Sequence, residues 1–195
     1  MSSSPYELQW HGPYKWYGDG EDVLFSRPEI KQPGIYLWTI LFDGQYLTYY
    51  VGETGRAFEE RFKEHTRDCL GGLYRVYDPD KFITGKKELS WEGMWKKGTR
   101  DRMGEFLIRF KELAPIIHKF MGLFDMFLAP IDVDQRTRQR IESAIANHLY
   151  HQEGLIGTFQ DNDIRYHPKR SDEEPISVLM NYSKPILGFC NKLIA

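Results

Sequence analysis

The sequence is poor in the features that settle a protein's class at a glance. It has only two cysteines in 195 residues, Cys69 and Cys190, and they share no motif spacing. That argues against a disulfide framework or a cysteine-held metal cluster, and it favours a reducing, cytoplasmic setting. No apolar run approaches the length of a membrane span. The opening Met1-Ser2-Ser3-Ser4-Pro5 has no basic region followed by an apolar stretch, so no secretory leader is expected. Internal repeats and low-complexity segments are also missing. The net charge is only −2, which speaks against strong non-specific binding to nucleic acid but leaves room for a local basic face. With 41% hydrophobic and 28% charged residues, the chain has the composition of a globular domain with elaborations.

The strongest local signal is PGIYLWTILFDGQYLTYYVGETG, from Pro33 to Gly55. Two aromatic and β-branched runs flank Asp43-Gly44, the signature of a hairpin. Gly34 and Gly52 sit inside the strand pattern, where glycine normally weakens a strand. The parity of the hairpin matters. A two-residue turn sets Tyr36 opposite Val51 and sends Tyr36 and Tyr50 to opposite faces. A three-residue loop sets Tyr36 opposite Gly52 and Trp38 opposite Tyr50, with both tyrosines on one face. A shared site needs that second register or a bulge. Glycines there would leave room for a phosphate backbone to approach.

Further along, TGRAFEERFKEHTRD reads as a helix with Phe58 and Phe62 on one face, an i,i+4 pair from Glu59 to Lys63, and Thr54 as N-cap. Residues 71–100 read as a loop-rich insertion. Met103, Phe106, Leu107, Phe110 and Leu113 form a helical core stripe that is expected to end before Pro115. Leu123 to Pro130 reads as a strand. A second strong helix is expected from about Val133 to Tyr150, buried along Ile141, Ala144, Ile145, His148 and Leu149, with Asp132 and Gln135 as an approximate capping box. The whole is an α/β chain of the α+β kind: a small, mostly antiparallel sheet flanked by helices. Residues 1–33 form an N-terminal arm, 34–165 the main domain and 166–195 a C-terminal extension.

The ordered set Gly34-Ile35-Tyr36, Tyr50-Val51-Gly52, Thr54, Arg61, His65 and Glu142 resembles the GIY-YIG nuclease superfamily. The resemblance spans roughly residues 33–165. It implies a metal-dependent endonuclease acting on DNA, with one divalent ion such as Mg²⁺ bound by Glu142; the Lys/Trp-bearing insertion and the compact length favour a stand-alone restriction-type enzyme over a repair subunit. It also implies an Asn after that Glu. Asn147 lies five residues on within the same helix and points elsewhere, while Asn162, in a turn-rich segment, suits the order better.

The residue types fit the chemistry. Hydrolysis of a phosphodiester needs an activated water, charge on the phosphoryl oxygens and a stabilised leaving oxygen. Arg61 is a permanent cation whose fork matches phosphate oxygens. Glu142 suits Mg²⁺, a hard ion that takes a carboxylate and otherwise keeps water. Tyr36 and Tyr50 are candidates to orient or deprotonate the water, though a phenol of pKa about 10 is a base only if cations lower that value. His65, one turn after Arg61 on the same face, could shuttle a proton or bind phosphate.

Ordinary readings stand beside these. A strand tyrosine usually belongs to the core, and Arg61 or His65 alone reads as a surface helix residue, with Arg61 pairing to Glu60 or Glu64. Lys86, Lys87, Lys96, Lys97, Arg100 and Arg102, interleaved with Trp91 and Trp95, suit DNA phosphate and stacking contacts. They equally suit a solvated loop with its tryptophans tucked into the core. Asp134–Arg140 and His167–Arg170 are further basic stretches. One site cuts one strand, so a double-strand break needs a homodimer or two successive events. The alternatives to a restriction-type enzyme are a repair nuclease, a non-catalytic nucleic-acid-binding module of the same fold, and a protein–protein module.

Overall fold

The computed structural model describes residues 4–94, 102–161, 164 and 166–195. Its centre is the hairpin of β3 (Gly34–Phe42) and β4 (Gln45–Thr54). Asp43 and Gly44 turn the chain with φ of 48° and 76°, the doubly positive geometry that matches strand twist and that Asp-Gly supplies. This is the two-residue turn, with Phe42 opposite Gln45. The register then shifts between Trp38 and Thr39: Thr39 faces Thr48, but Trp38 faces Tyr50 and Tyr36 faces Gly52. Tyr49 is the extra residue of a β-bulge. The short turn and the shared face are thus reconciled by one inserted residue.

Around the hairpin, β2 (His11–Lys15) and β7 (Phe124–Pro130) complete an antiparallel four-stranded sheet in the order β2-β7-β3-β4. β1 (Tyr6–Gln9), β8 (Ser177–Asn181) and β9 (Lys192–Ile194) make a second sheet in which β1 and β8 run parallel. Segments expected to be an arm and an extension therefore share a sheet. The small ladder of β5 (Val76–Tyr77) and β6 (Leu89–Trp91), with the short helix α2 (Pro79–Phe82), occupies the segment read as a loop-rich insertion. Val76, Tyr77, Phe82 and Trp91 are core residues, so that segment is structural.

The long helices differ from expectation at their ends. α1 (Phe58–Leu70) starts after Ala57, three residues later than a Thr54 cap requires. Thr54 Oγ1 instead accepts from the Arg56 N–H at 3.1 Å and shapes the turn before the helix. α3 (Met103–Gly122) continues through Pro115, which forfeits one backbone donor. The burial of Ile117, Phe120 and Met121 holds the last turns in place. Its buried stripe runs through Phe106 and Leu113. Met103, Leu107 and Phe110 are exposed, because the first turns of the helix meet the body along one side only. α4 (Gln135–Tyr150) is capped by Asp134, not Asp132, through Thr137 N at 3.0 Å. α5 (Leu155–Phe159) leads the chain back to the outer edge of β4, where Asp161 N donates to Tyr49 O at 2.8 Å.

The two faces of the sheet carry different cores. Tyr36, Trp38 and Ile40 face α1 and α3 together with Phe62, Ile117, Phe120 and Phe124. Ile35, Leu37 and Val51 face α4 through Ile141, Ile145, Ala146 and Leu149.

Candidate active site

α1 delivers Arg61 and His65 to the face that holds Tyr36 and Tyr50. His65 is buried to 2% exposure, and its Nε2 lies 2.8 Å from the Tyr36 hydroxyl. Its Nδ1 lies 3.0 Å from the Tyr74 hydroxyl, which donates to Asp68 Oδ2 at 3.0 Å. A carboxylate only accepts, so the Tyr74 proton points at Asp68. The Tyr74 oxygen must then accept from His65 Nδ1–H, which leaves Nε2 as the acceptor of the Tyr36 proton. Arg61 Nε donates to the same Tyr36 oxygen at 3.3 Å. The Tyr50 ring lies beside that of Tyr36, with centroids 5.9 Å apart. The chain Tyr36, His65, Tyr74, Asp68 has every donor directed inward, ending on a carboxylate.

Burial sets the proton affinities. It pushes the Tyr36 phenol well above its usual range, with the nearby Tyr50 adding to the effect and Arg61 opposing it. Burial, then the Glu142 charge, raises Tyr50 as well. His65 is pushed well below its usual value by burial and then by the Arg61 charge, which favours its neutral form at rest. No free phenolate rests here, contrary to the condition a tyrosine base would need. The inward chain can nevertheless pass a proton stepwise.

Tyr50, Arg61 and His65 line one cavity of about 460 Å³, while Tyr36 lies fully enclosed behind them. Gly52 makes this possible in a way not foreseen from the sequence. A Cβ there would collide with the rings of Tyr36 and Tyr50, so the space it vacates is filled by the phenols rather than by substrate. A Cβ at Gly34 would likewise collide with the Ala129 carbonyl of β7 and crowd Phe58. Arg61 keeps 29% of its side chain exposed and is braced by Glu64 at 3.2 Å. Arg56 holds the same carboxylate through two bonds of 2.7 and 2.8 Å, and Glu64 is held down at about 2 by that pairing.

Glu142 comes from the other layer and does not line that cavity. It flanks the buried α4 stripe, from where its charge acts on Tyr50. Burial and then the charge of Glu53 push it up to about 8. The buried guanidinium of Arg138 goes to Glu53, at 2.9 Å, and not to Glu142. A carboxylate so placed gains most from a cation supplied from outside, and Mg²⁺ is commonly held by one or two carboxylates with water and phosphate. The donor set therefore fits that ion. Among the described residues no three His, Cys, Asp or Glu side chains gather, so water and substrate would supply its remaining ligands.

The other expected residues are distributed differently. Asn162, Lys96, Lys97, Arg100 and Trp95 lie outside the described residues. Asn147 lies on α4 beside a different hollow, with Arg140 and His148. Lys86 is exposed, and Lys87 donates to the Gln160 carbonyl at 2.7 Å. Arg102 is engaged by Glu105 at 2.9 Å and Glu92 at 3.0 Å and stacks over Trp91, whose ring is core. Arg136, Arg138 and Arg140 of the basic stretch before Glu142 are bound to Glu173, Glu53 and the Glu174 and Ala195 carbonyls. Tyr74 and Asp68 were not anticipated. Asp68 sits three residues after His65, a helical neighbour that could have been noticed, but Tyr74 lies in a segment with no periodic signal.

Comparison of the chain with family models, curated proteins and solved structures finds no match. Among the described residues no helix is long and apolar enough to cross a membrane.

Proposed function

We propose that the protein is a metal-dependent endonuclease that hydrolyses DNA phosphodiester bonds. The observation that carries this reading is the convergence of Tyr50, Arg61 and the inward hydrogen-bond chain on one cavity, with Glu142 close enough for its charge to act on Tyr50. The resemblance of the same residues to the GIY-YIG superfamily supports it.

In this reading a water approaches Tyr50, the phenol that lines the cavity beside Tyr36. Tyr50 accepts a proton from the water as it passes its own to Tyr36. Tyr36 passes its own to His65 Nε2. The resulting imidazolium is held through Nδ1–H by Tyr74 and Asp68. Tyr50 is thus the catalytic phenol and Tyr36 a buried carrier. Arg61 donates to the phosphoryl oxygens where charge builds. Glu142 would hold the divalent ion, which when bound supplies the positive charge that polarises the phosphate and steadies the leaving oxygen.

The test is incubation of purified protein with supercoiled plasmid and with a mixed-sequence duplex library, in Mg²⁺ and in chelator. Strand breaks in Mg²⁺ alone are expected. Binding without breakage in Mg²⁺ would overturn the reading. Nicked circles appearing before linear product would mark one strand cut per site, and the protein's mass in solution would tell whether a homodimer makes both cuts.

A further inference from the structure

We infer that the cavity beside the proposed phosphate site is a base pocket, so that the substrate presents an unstacked nucleotide next to the bond that is cut. The inference rests on the nuclease reading and sharpens its substrate class. Three observations carry it. The cavity is continuous with Tyr50, Arg61 and His65, so whatever fills it is attached to the group those residues hold. Its volume, about 460 Å³, is far more than a phosphate needs and falls within the range of small-molecule sites, roughly 300–1,000 Å³. Its walls are flat rings, Trp38, Tyr49, Tyr50 and Tyr74, the surfaces on which bases stack without regard to sequence.

Charge decides between a base and more backbone as the occupant. Among the described residues the walls carry three carboxylates, Asp68, Glu92 and Asp161, against two guanidiniums, Arg61 and Arg75, and Glu92 is paired with Arg102 at 3.0 Å. Burial favours the neutral form of His65 among them. A further phosphate would find no excess of positive charge on those walls. A neutral base meets aromatic faces and, at the rim, both donors and acceptors for its edge. A base stacked within a duplex cannot enter such a recess, so the substrate strand is single, flapped or locally opened there.

The test is a calorimetric titration of the unmodified protein, in Ca²⁺ to prevent turnover, with deoxyadenosine 5′-monophosphate, thymidine 5′-monophosphate and deoxyribose 5-phosphate. The nucleotides are expected to bind about tenfold or more tighter than the sugar phosphate, the gain of one stacked base. Leu73, a partly exposed wall residue, offers a way to fill the pocket. Leu73→Trp and the milder Leu73→Phe should erase the preference while leaving sugar phosphate binding in place. Equal affinities in the unmodified protein, or a preference unchanged in both filled variants, would overturn the pocket. Strand breakage in Mg²⁺ is scored separately, so equal affinities beside normal cleavage would remove the pocket and leave the nuclease.

Discussion

The two faces of the central hairpin are built from alternate residues of the same two strands, yet they do different work. On the α4 face, Ile35, Leu37 and Val51 meet Ile141, Ile145, Ala146 and Leu149 in an aliphatic contact. On the α1 face, Tyr36, Trp38 and Tyr50 meet His65 and Arg61, and buried polar atoms are joined in a chain of hydrogen bonds. Aliphatic packing holds by volume and tolerates any similar filling. A buried polar chain holds only if each member finds its partner, and it costs dearly when one is removed. One face thus anchors the strands so that the other can carry groups that would be unstable alone. Glu142 links the two: its helix packs on the aliphatic face, and its charge acts on Tyr50 of the polar one.

The sharpest break of this contrast is Glu142→Gln. The substitution should abolish cleavage while leaving the fold intact, because the neutral amide lacks the charge a hard cation needs. Its pH behaviour follows from a carboxyl raised from the ordinary 4.5 to about 8. At limiting Mg²⁺, cleavage by the parent should rise with pH through about 8, and saturating Mg²⁺ should move that midpoint lower. In metal-free protein the sign for stability is the reverse. The folded state favours the protonated acid, so this group's contribution is full below about 4.5 and is lost as pH rises toward 8. Thermal melts from pH 4 to 9 should show that decline in the parent and a flatter curve in the variant. Parental activity of the variant at low Mg²⁺ would make Glu142 an ordinary helix carboxylate.

Next in size is Tyr50→Phe, which keeps the ring and removes the proton carrier that lines the cavity. Turnover should fall by about 10²–10⁴, the usual worth of a positioned acid or base. Tyr36→Phe should cut turnover too. It should also lower the melting temperature, because it leaves His65 Nε2 buried without its 2.8 Å partner. Equal melting of the two variants would contradict their different burial.

On the opposite face, Ile145→Ala should cost stability, by about 2–5 kcal/mol for a buried aliphatic truncation. Cleavage per folded molecule should stay at the parental rate. A lowered rate at full folding would show that the two faces are not separable. The smallest effect belongs to the exposed basic loop. Lys86→Gln should reduce the slope of log affinity against log salt by about 1 if Lys86 meets a phosphate. Lys87→Gln should change it less, since Lys87 already serves the Gln160 carbonyl.

Much of this contrast was legible in the sequence. The parity of the hairpin put Tyr36 and Tyr50 on one face once a three-residue loop or a bulge was admitted. The i,i+4 spacing of Arg61 and His65 put them on one side of α1. The bulge was not legible, because an Asp-Gly turn fixes the register only near the turn and nothing in Thr48-Tyr49-Tyr50 marks which residue goes unpaired. Helix ends misled where a side chain able to cap was present but served a neighbouring turn, as with Thr54. The apolar residues at the start of α3 misled because periodicity shows that a stripe exists, not that anything covers it. Tyr74 stayed hidden because its partners, His65 and Asp68, are set by how the chain returns after α1. The arginines before Glu142 looked like a docking surface and proved to be internal ties, since charge in a sequence says nothing of its partner.

The bulge at Tyr49 divides the hairpin into two parts that can vary independently. Between the turn and Thr39, residues pair in the register that Asp43-Gly44 dictates; beyond Trp38, they pair in the register that the phenols require. The outer half can lengthen or shorten by matched pairs without rotating Tyr36 or Tyr50, because the inner register is reset at one residue. If Tyr49 were instead drawn into the ladder with the turn retained, it would pair with Trp38, Tyr36 would face Val51, and the strand beyond would have to turn its aliphatic and phenolic sides over. Deleting Tyr49 outright would keep Tyr36 opposite Gly52 and Trp38 opposite Tyr50. A single residue that forms no cross-strand pair therefore works as a phase adjuster, holding the chemistry of one end of the hairpin independent of the geometry of the other.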